Sequence, residues 1–392
     1  MKESRRRFSV EEYEERKLKV LTAMTRHQLD LLVITDPANM CWLTGYDAWS
    51  FYVHQCVVLS GHGDLFWFGR GIDVASAQLT TDIPAGAIFV YPDECVHSVD
   101  QHPMQHLADI VRKKSFAGAR IGVEMDNHYF TALACDTLRK HLPAATISDA
   151  TSLVNWQRVV KSAREIDYMM IAGSLIEKVY EHVMTVVEPG MAKNHLVAEI
   201  LYVSTRGAED AFGDYTSIAP LIGAGDEAAA SHMTWDGSPL EQGYGMFLEL
   251  AAAHGRYHCP CSRTLFLGEP EQKYHDIERV IAEGIEATLP LFRPGVTCGE
   301  VAGSFFDLLE KHGYEKDNRC GYSIGLSYPP DWGERTLSLR RSDRTELQEN
   351  MILHFMPGMW FDNWGFEMTE SVQVTPQGGA CLANVPRQLL VK

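Results

Sequence analysis

Several short stretches of this 392-residue chain carry side chains that could do chemistry. His232 sits in GAGDEAAASHMTWDG, a loop composition, near Asp226, Glu227 and Asp236. A histidine there can serve as a general base or simply stand in solvent. Glu249 lies in GMFLELAAAHG between Phe247, Leu248 and Leu250. A carboxylate among such neighbours is costly unless it is paired, or unless strand alternation turns it to water. RYHCPCSRT supplies His258 and Arg263, with His254 just before. A guanidinium can grip a carboxylate through two parallel hydrogen bonds, or complete an ordinary structural ion pair. WGFEMTESVQVT holds Glu367 and Glu370, which fall on opposite faces if 365–374 is one strand. Two carboxylates and a histidine suit a cation, either a metal or an amidinium. Finally, CGYSIGLSYPPDWGERT adds Tyr322, Tyr328, Asp331, Trp332 and Glu334 around a turn built by two prolines and Asp-Trp-Gly. Its aromatics line a small pocket or close a rigid surface turn.

These residues need a frame. The first part of the chain alternates helical spacing (VEEYEERKLKVLTAMTRH, QHPMQHLADIVRKK, TALACDTLRKHL) with short apolar runs (LDLLVIT, CVVLSG, DLFWFG, AIFVYP, ARIGVEM) closed by Gly or Pro. It reads as an α/β domain over 1–160. Within the second domain, 161–392, Ile166, Met169, Ile176, Val179, Tyr180 and Val183 form one helical stripe that Pro189-Gly190 ends. A helix over NHLVAEILYVSTRG and strand-like runs IAPLIGAG, GMFLELAAAH and SRTLFLG follow. Two more helices, QKYHDIERVIAEGIEATLPLF and GEVAGSFFDLLEKHG, precede strands MILHFMPGMWF and ESVQVTPQG. Helices then strands, twice over, predict an α+β half repeated within the second domain.

Composition narrows the partners. A net charge of -17 argues against nucleic acid or an anionic membrane as the main partner, though not against a small anion. The nine cysteines contain no CxxC pair, and Cys259 with Cys261 is too weak a cluster for structural zinc. They read as reduced thiols of a cytoplasmic protein. The basic start MKESRRRFSVEEYEERK lacks the apolar core of a signal peptide, and no apolar run reaches transmembrane length.

The order of KSAREI, ASHMTWDG, FLELAAAHGRYHCPCSRT, GYSIGLSY, HFMPG and TESVQVT resembles the creatinase/prolidase/methionine-aminopeptidase superfamily. The resemblance implies a small α/β N-terminal domain and a pita-bread C-terminal domain of two pseudo-symmetric α+β halves. The metallopeptidase branch binds two metal ions through two Asp, one His and two Glu. Those positions fall on Glu249, Pro260, Tyr322, Met356 and Thr369 beside Glu370. Proline and methionine are not hard oxygen ligands, and a phenol replaces imidazole poorly. Of the family's other histidines, one matches Tyr328 and another is kept as His232.

The pattern is similar to creatinase, a metal-free member that hydrolyses a C–N bond beside a guanidinium-like carbon, and implies no cofactor. Longer strings, NWQRVVKS, GVEMDNHYF, HCPCSRT, GYSIGLSYPPDWGERT and NVPRQLLVK, resemble a branch that opens a cyclic amidine carboxylate to an N-acetylated diamino acid, which a partner deacetylase then processes. A homodimer is implied, with Trp49, Phe51 and Tyr52 of DAWSFY serving the other chain's site or plain domain packing. On this reading the carboxylates accept the amidinium, with His258 nearby. Arg263, Tyr322 or Tyr328 takes the ring carboxylate. His232 moves protons, and Glu249 either orients the amidinium or attacks as a nucleophile. A creatinase-like amidinohydrolase for another zwitterion and a non-enzymatic binding protein are the other readings. A metal-dependent Pro-specific peptidase is disfavoured by the lost ligands.

Overall fold

Ser9 begins the first helix, α1 (Val10–Arg26), by accepting a hydrogen bond from the Glu12 N–H. The computed structural model describes residues 7–392, so the first part of the basic start, MKESRR, lies outside the described residues. The chain divides into two units between Arg158 and Val159.

After α1 the first unit continues through β1 (Leu31–Ile34), α2 (Pro37–Thr44), β2 (Cys56–Ser60), β3 (Leu65–Arg70), α3 (Val74–Thr80) and β4 (Ile88–Tyr91). It closes with α4 (Pro103–Lys113), β5 (Arg120–Val123), α5 (Ala132–His141), β6 (Thr146–Asp149) and α6 (Asn155–Arg158). One sheet results, in the order β4-β3-β2-β1-β5-β6. Leu31, Val33, Val58, Phe66 and Phe68 pack with Leu107 and Val111 of α4 and Leu138 of α5. α2 is marked at both ends, by Asp36 as N-cap before Pro37 and by Gly45 at φ +83 after the last turn.

The second unit repeats one pattern. First come α7 (Ala163–Val186) and α8 (Lys193–Arg206), then β7 (Leu221–Ala224), β8 (Gly245–His254) and β9 (Tyr257–Phe266). The second half has α9 (Gln272–Thr288) and α10 (Cys298–Lys311), then β10 (Gly321–Tyr328), β11 (Asp331–Ser338) and β12 (Ile352–Phe355). β13 (Met359–Trp360), β14 (Gly365–Phe366), β15 (Glu370–Thr375), β16 (Gly378–Cys381) and β17 (Leu390–Val391) complete it. Capping boxes open one helix of each pair, Ser162 with Glu165 before α7 and Thr297 with Glu300 before α10. The sheet runs β16-β15-β12-β10-β9-β8-β7, with β11 on β10 and β17 on β9. Phe355 of β12 meets Phe292 and Phe305 at ring distances of 5.5 and 5.4 Å in the core beneath.

Two expected strands break. MILHFMPGMWF splits into β12 and β13 around Pro357, which has no N–H for a ladder. Residues 365–374 are not one strand either. Between β14 and β15 the chain leaves the ladder to bond β9: Met368 bridges Arg263, Glu367 N–H donates to Thr264 Oγ1 and Thr369 N–H to the Ser262 carbonyl. No helix among the described residues is long and apolar enough to cross a membrane. All nine cysteines are free, and eight are buried.

Candidate active site

β8 and β9 form a long hairpin whose two-residue turn, Gly255 and Arg256, has φ of +59° and +71°. Positive φ at both positions gives the turn twist that keeps a hairpin in register. That register sets Glu249 directly opposite Ser262, on one face of the sheet. Glu249 is 7% exposed. No group among the described residues hydrogen-bonds to it. Burial, then the nearby Asp331 charge, push its carboxyl up to about 7. Glu367, on the segment before β15 that bridges β9 through Met368 and Arg263, is fully buried, and neither oxygen has a partner in bonding geometry. Burial and then Glu249 push it well above the carboxylate range; Lys316 and the adjoining Ser262 pull it back. Glu249 thus helps hold the Glu367 carboxyl up, and the two resist carrying two charges at neutral pH.

Beside them runs a buried chain of hydrogen bonds. Trp332 Nε1–H donates to Tyr322 Oη at 2.8 Å, and Tyr322 Oη lies 3.2 Å from His354 Nδ1. His354 Nε2 lies 2.7 Å from Thr369 Oγ1, which also receives the Ser262 N–H at 2.8 Å. Strand pairing brings Tyr322 of β10 opposite His354 of β12. Burial, with Arg319 nearby, holds the His354 ring down at about 3, so it is neutral at physiological pH. The Arg319 guanidinium sits 4.3 Å from the Tyr322 ring centroid. Burial and Glu249 keep the Tyr322 phenol protonated.

The residues at the superfamily's metal positions do not fit a two-metal centre. Pro260 and Met356 offer no donor, and the Tyr322 and Thr369 hydroxyls are tied into the chain just described. Among the described residues no group of three or more His, Cys, Asp or Glu is placed to hold a metal ion.

Other expected site residues are built into the frame instead. Arg263 is fully buried, and all five of its N–H bonds are spent. They go to the carbonyls of Pro386, Ser262, Thr369 and Val385 and to Glu370 Oε1 at 2.7 Å. Neither Arg263 nor Glu370, which also accepts from Arg387, is available to a substrate. His258 accepts from the Ser217 N–H at 2.9 Å through Nε2 and donates through Nδ1 to the Arg256 carbonyl. Burial holds it at about 4, so it is a neutral strut rather than a substrate ligand. Tyr328 lies at the other end of β10 from Tyr322, paired with Asp331 across the β10–β11 turn. There it packs near Arg256 at the β8–β9 turn, because Leu326 pairs with Tyr257. His232 is exposed, with its ring bonded to Ser231 Oγ at 3.2 Å. Its loop follows β7, and the Ala228 carbonyl in that loop lies against Gly365, two residues before Glu367. In the first unit, Trp49 and Tyr52 are 56% and 63% exposed, and the Phe51 ring lies tilted against Trp49 at 4.6 Å.

Two contributors, His354 and Lys316, were not legible in the sequence, nor were the partners of Thr369. His354 lies in an apolar strand, and only strand pairing shows that it joins Tyr322 and Thr369. Lys316 precedes β10 with no local signal; its Nζ donates to the Gly358 carbonyl at 2.6 Å, and burial draws it down to about 8.

Comparison with known proteins places the chain. Residues 16–160 match the creatinase/prolidase N-terminal domain and residues 167–376 match metallopeptidase family M24. An ectoine hydrolase of Halomonas elongata is 46% identical over 98% of both chains. An uncharacterized hydrolase/peptidase of Sinorhizobium fredii is 40% identical, again over 98% of both. Among solved structures, a prolidase from Thermococcus sibiricus superimposes with a TM-score of 0.84 at 15% identity, covering 97% of this chain and 99% of its own. A dipeptidase from Pyrococcus horikoshii does so with 0.81 at 20% identity, covering 96% and 100%. These structural likenesses establish the pita-bread fold. The chain is a hydrolase of metallopeptidase family M24, with a creatinase/prolidase N-terminal domain ahead of its pita-bread domain.

Proposed function

We propose that this hydrolase opens the cyclic amidine ring of ectoine to N-acetyl-2,4-diaminobutyrate without a metal. The observation that carries the reading is the Glu249–Glu367 pair, two buried carboxylates that no group among the described residues meets in hydrogen-bonding geometry. An amidinium supplies a positive charge and N–H donors in one plane, which such a pair can accept as charge-assisted bonds. The 46% identical ectoine hydrolase supports the same substrate.

In the reaction, a water oxygen adds to the carbon between the ring nitrogens, one C–N bond breaks, and the oxygen becomes the acetamide carbonyl. The departing nitrogen gains a proton and leaves as an amine. Glu249 either orients the amidinium or attacks first, forming an adduct that water then releases. His232, on the solvent side, exchanges protons with water. The ring carboxylate needs a cation. Arg263 is spent and Tyr328 carries no charge, so Lys316 beside Glu367 and Arg319 over Tyr322 take that part. The enzyme works as a homodimer in which exposed Trp49 and Tyr52, with Phe51, complete the partner's site. A deacetylase then consumes the product.

Proton NMR of purified protein with ectoine tests this: the ring methyl converts to an acetamide methyl. His232→Ala slows the conversion about 10²–10⁴-fold. An unchanged spectrum from folded wild-type protein refutes the reading. Turnover of creatine instead would favour a creatinase-like amidinohydrolase, and ligand broadening without turnover a binding protein.

A further inference from the structure

The buried chain beside Glu249 has a proton count that decides where one hydrogen points. Two links join Tyr322, His354 and Thr369, at 3.2 and 2.7 Å, and each link holds one hydrogen. With His354 neutral, the three side chains carry one such hydrogen each. One is therefore surplus and must leave the chain at Tyr322 or at Thr369. Thr369 is fully buried, its Oγ1 already receives the Ser262 N–H, and no other acceptor among the described residues bonds to it. A hydroxyl stranded there would cost about 1–3 kcal/mol. Tyr322 Oη receives the Trp332 N–H and stands beside Glu249, so its own hydrogen has a polar site to enter. Thr369 O–H thus donates to His354 Nε2, and His354 Nδ1–H donates to Tyr322.

We propose that Tyr322 is a fixed hydrogen-bond donor to the oxygen added at the reacting carbon, and that His354, locked as its Nδ1–H tautomer by Thr369, is the positioning residue that keeps the phenol hydrogen turned into the site. The identity of that acceptor rests on the amidine-hydrolysis reading above. A substrate carboxylate beside Glu249 would be repelled. The added oxygen gains negative charge only as the tetrahedral centre forms and collapses, which is when a preorganised donor lowers a barrier. The phenol keeps its proton throughout, so no bond at Tyr322 forms or breaks.

Two measurements test this. In ¹⁵N-histidine-labelled protein without ligand, long-range ¹H–¹⁵N spectra, with His354 assigned by its loss in His354→Gln, show protonated Nδ1 and unprotonated Nε2. In steady-state kinetics on ectoine, Tyr322→Phe lowers kcat about 10²–10³-fold with KM little changed. Thr369→Ser keeps most of kcat, whereas Thr369→Val loses it. An Nε2–H tautomer overturns the proposal whatever the substrate, and a Tyr322→Phe enzyme with normal kcat and raised KM overturns the acceptor. A wild-type enzyme inert on ectoine with His354 as Nδ1–H overturns the substrate reading and the donor role stated for it, while the tautomer assignment stands.

Discussion

Glu249→Gln removes an ionisable group at nearly constant shape and breaks no hydrogen bond, so it reads the electrostatic cost of the site directly. The wild-type carboxyl titrates at about 7 in the folded protein, against an ordinary 4.5. A carboxyl raised on folding stabilises the folded state below its unfolded pKa and loses that advantage as pH rises through its folded pKa. At about 1.4 kcal/mol per pH unit the difference amounts to about 3 kcal/mol, absent near pH 4.5 and complete above about 7. Glu249→Gln therefore matches wild type near pH 4 and is more stable by about 3 kcal/mol at pH 8. Glu367 adds to the gain, because it loses the like charge that helps hold it up. The pair titrates jointly, so the midpoint of the transition belongs to both groups. The assay is urea unfolding of the ligand-free protein at a series of pH values, with the slope m checked for constancy. A stability difference that is flat with pH, or a variant weaker than wild type at pH 8, refutes the reasoning. The same sign governs catalysis: an ionised pair binds a cationic substrate, so kcat/KM rises with pH through about 7 in wild type.

Arg263→Met leaves Glu370 buried without its main partner and costs about 3–5 kcal/mol, seen as a lowered unfolding midpoint; normal stability with a raised KM would return Arg263 to the substrate. Exhaustive EDTA leaves turnover intact, and zinc, manganese or cobalt do not raise it; loss on chelation with recovery on adding one of them would show that this donor set does work with a metal. Trp49→Ala raises KM for ectoine while the unfolding of the second unit is unchanged, and a fully active monomer in sedimentation would exclude a shared site.

Local signals carried most of the fold. Ser162 with Glu165 marks the start of α7 because both capping partners lie within one turn, and Pro189-Gly190 follows its end closely. The β8–β9 turn was harder: Gly255-Arg256 puts a non-glycine at φ +71°, which sequence alone does not announce. The path of Glu367–Thr369 was hidden for another reason. It depends on hydrogen bonds to β9, distant in sequence, so alternation within 365–374 was the wrong ruler.

The site shows the same division between residue type and residue partner. Sequence offered Glu249, Arg263, Glu367 and Glu370 alike as candidate site residues. What separates the two sets is where the counter-charge lies. Arg263 and Glu370 neutralise each other at 2.7 Å, and the carbonyls around them finish the account of donors. Glu249 and Glu367 have nothing comparable, and folding leaves their charge uncompensated. At the superfamily's metal positions, Tyr322 and Thr369 are neutral groups closed into a chain with His354, so the compensating charge cannot come from a set of metal ligands there. On the amidine-hydrolysis reading, a cationic substrate would be the partner that the carboxylate pair lacks. Binding it would convert a cost of folding into affinity, and the site would select for an amidinium because a neutral ligand would leave the two carboxylates as unsatisfied as before.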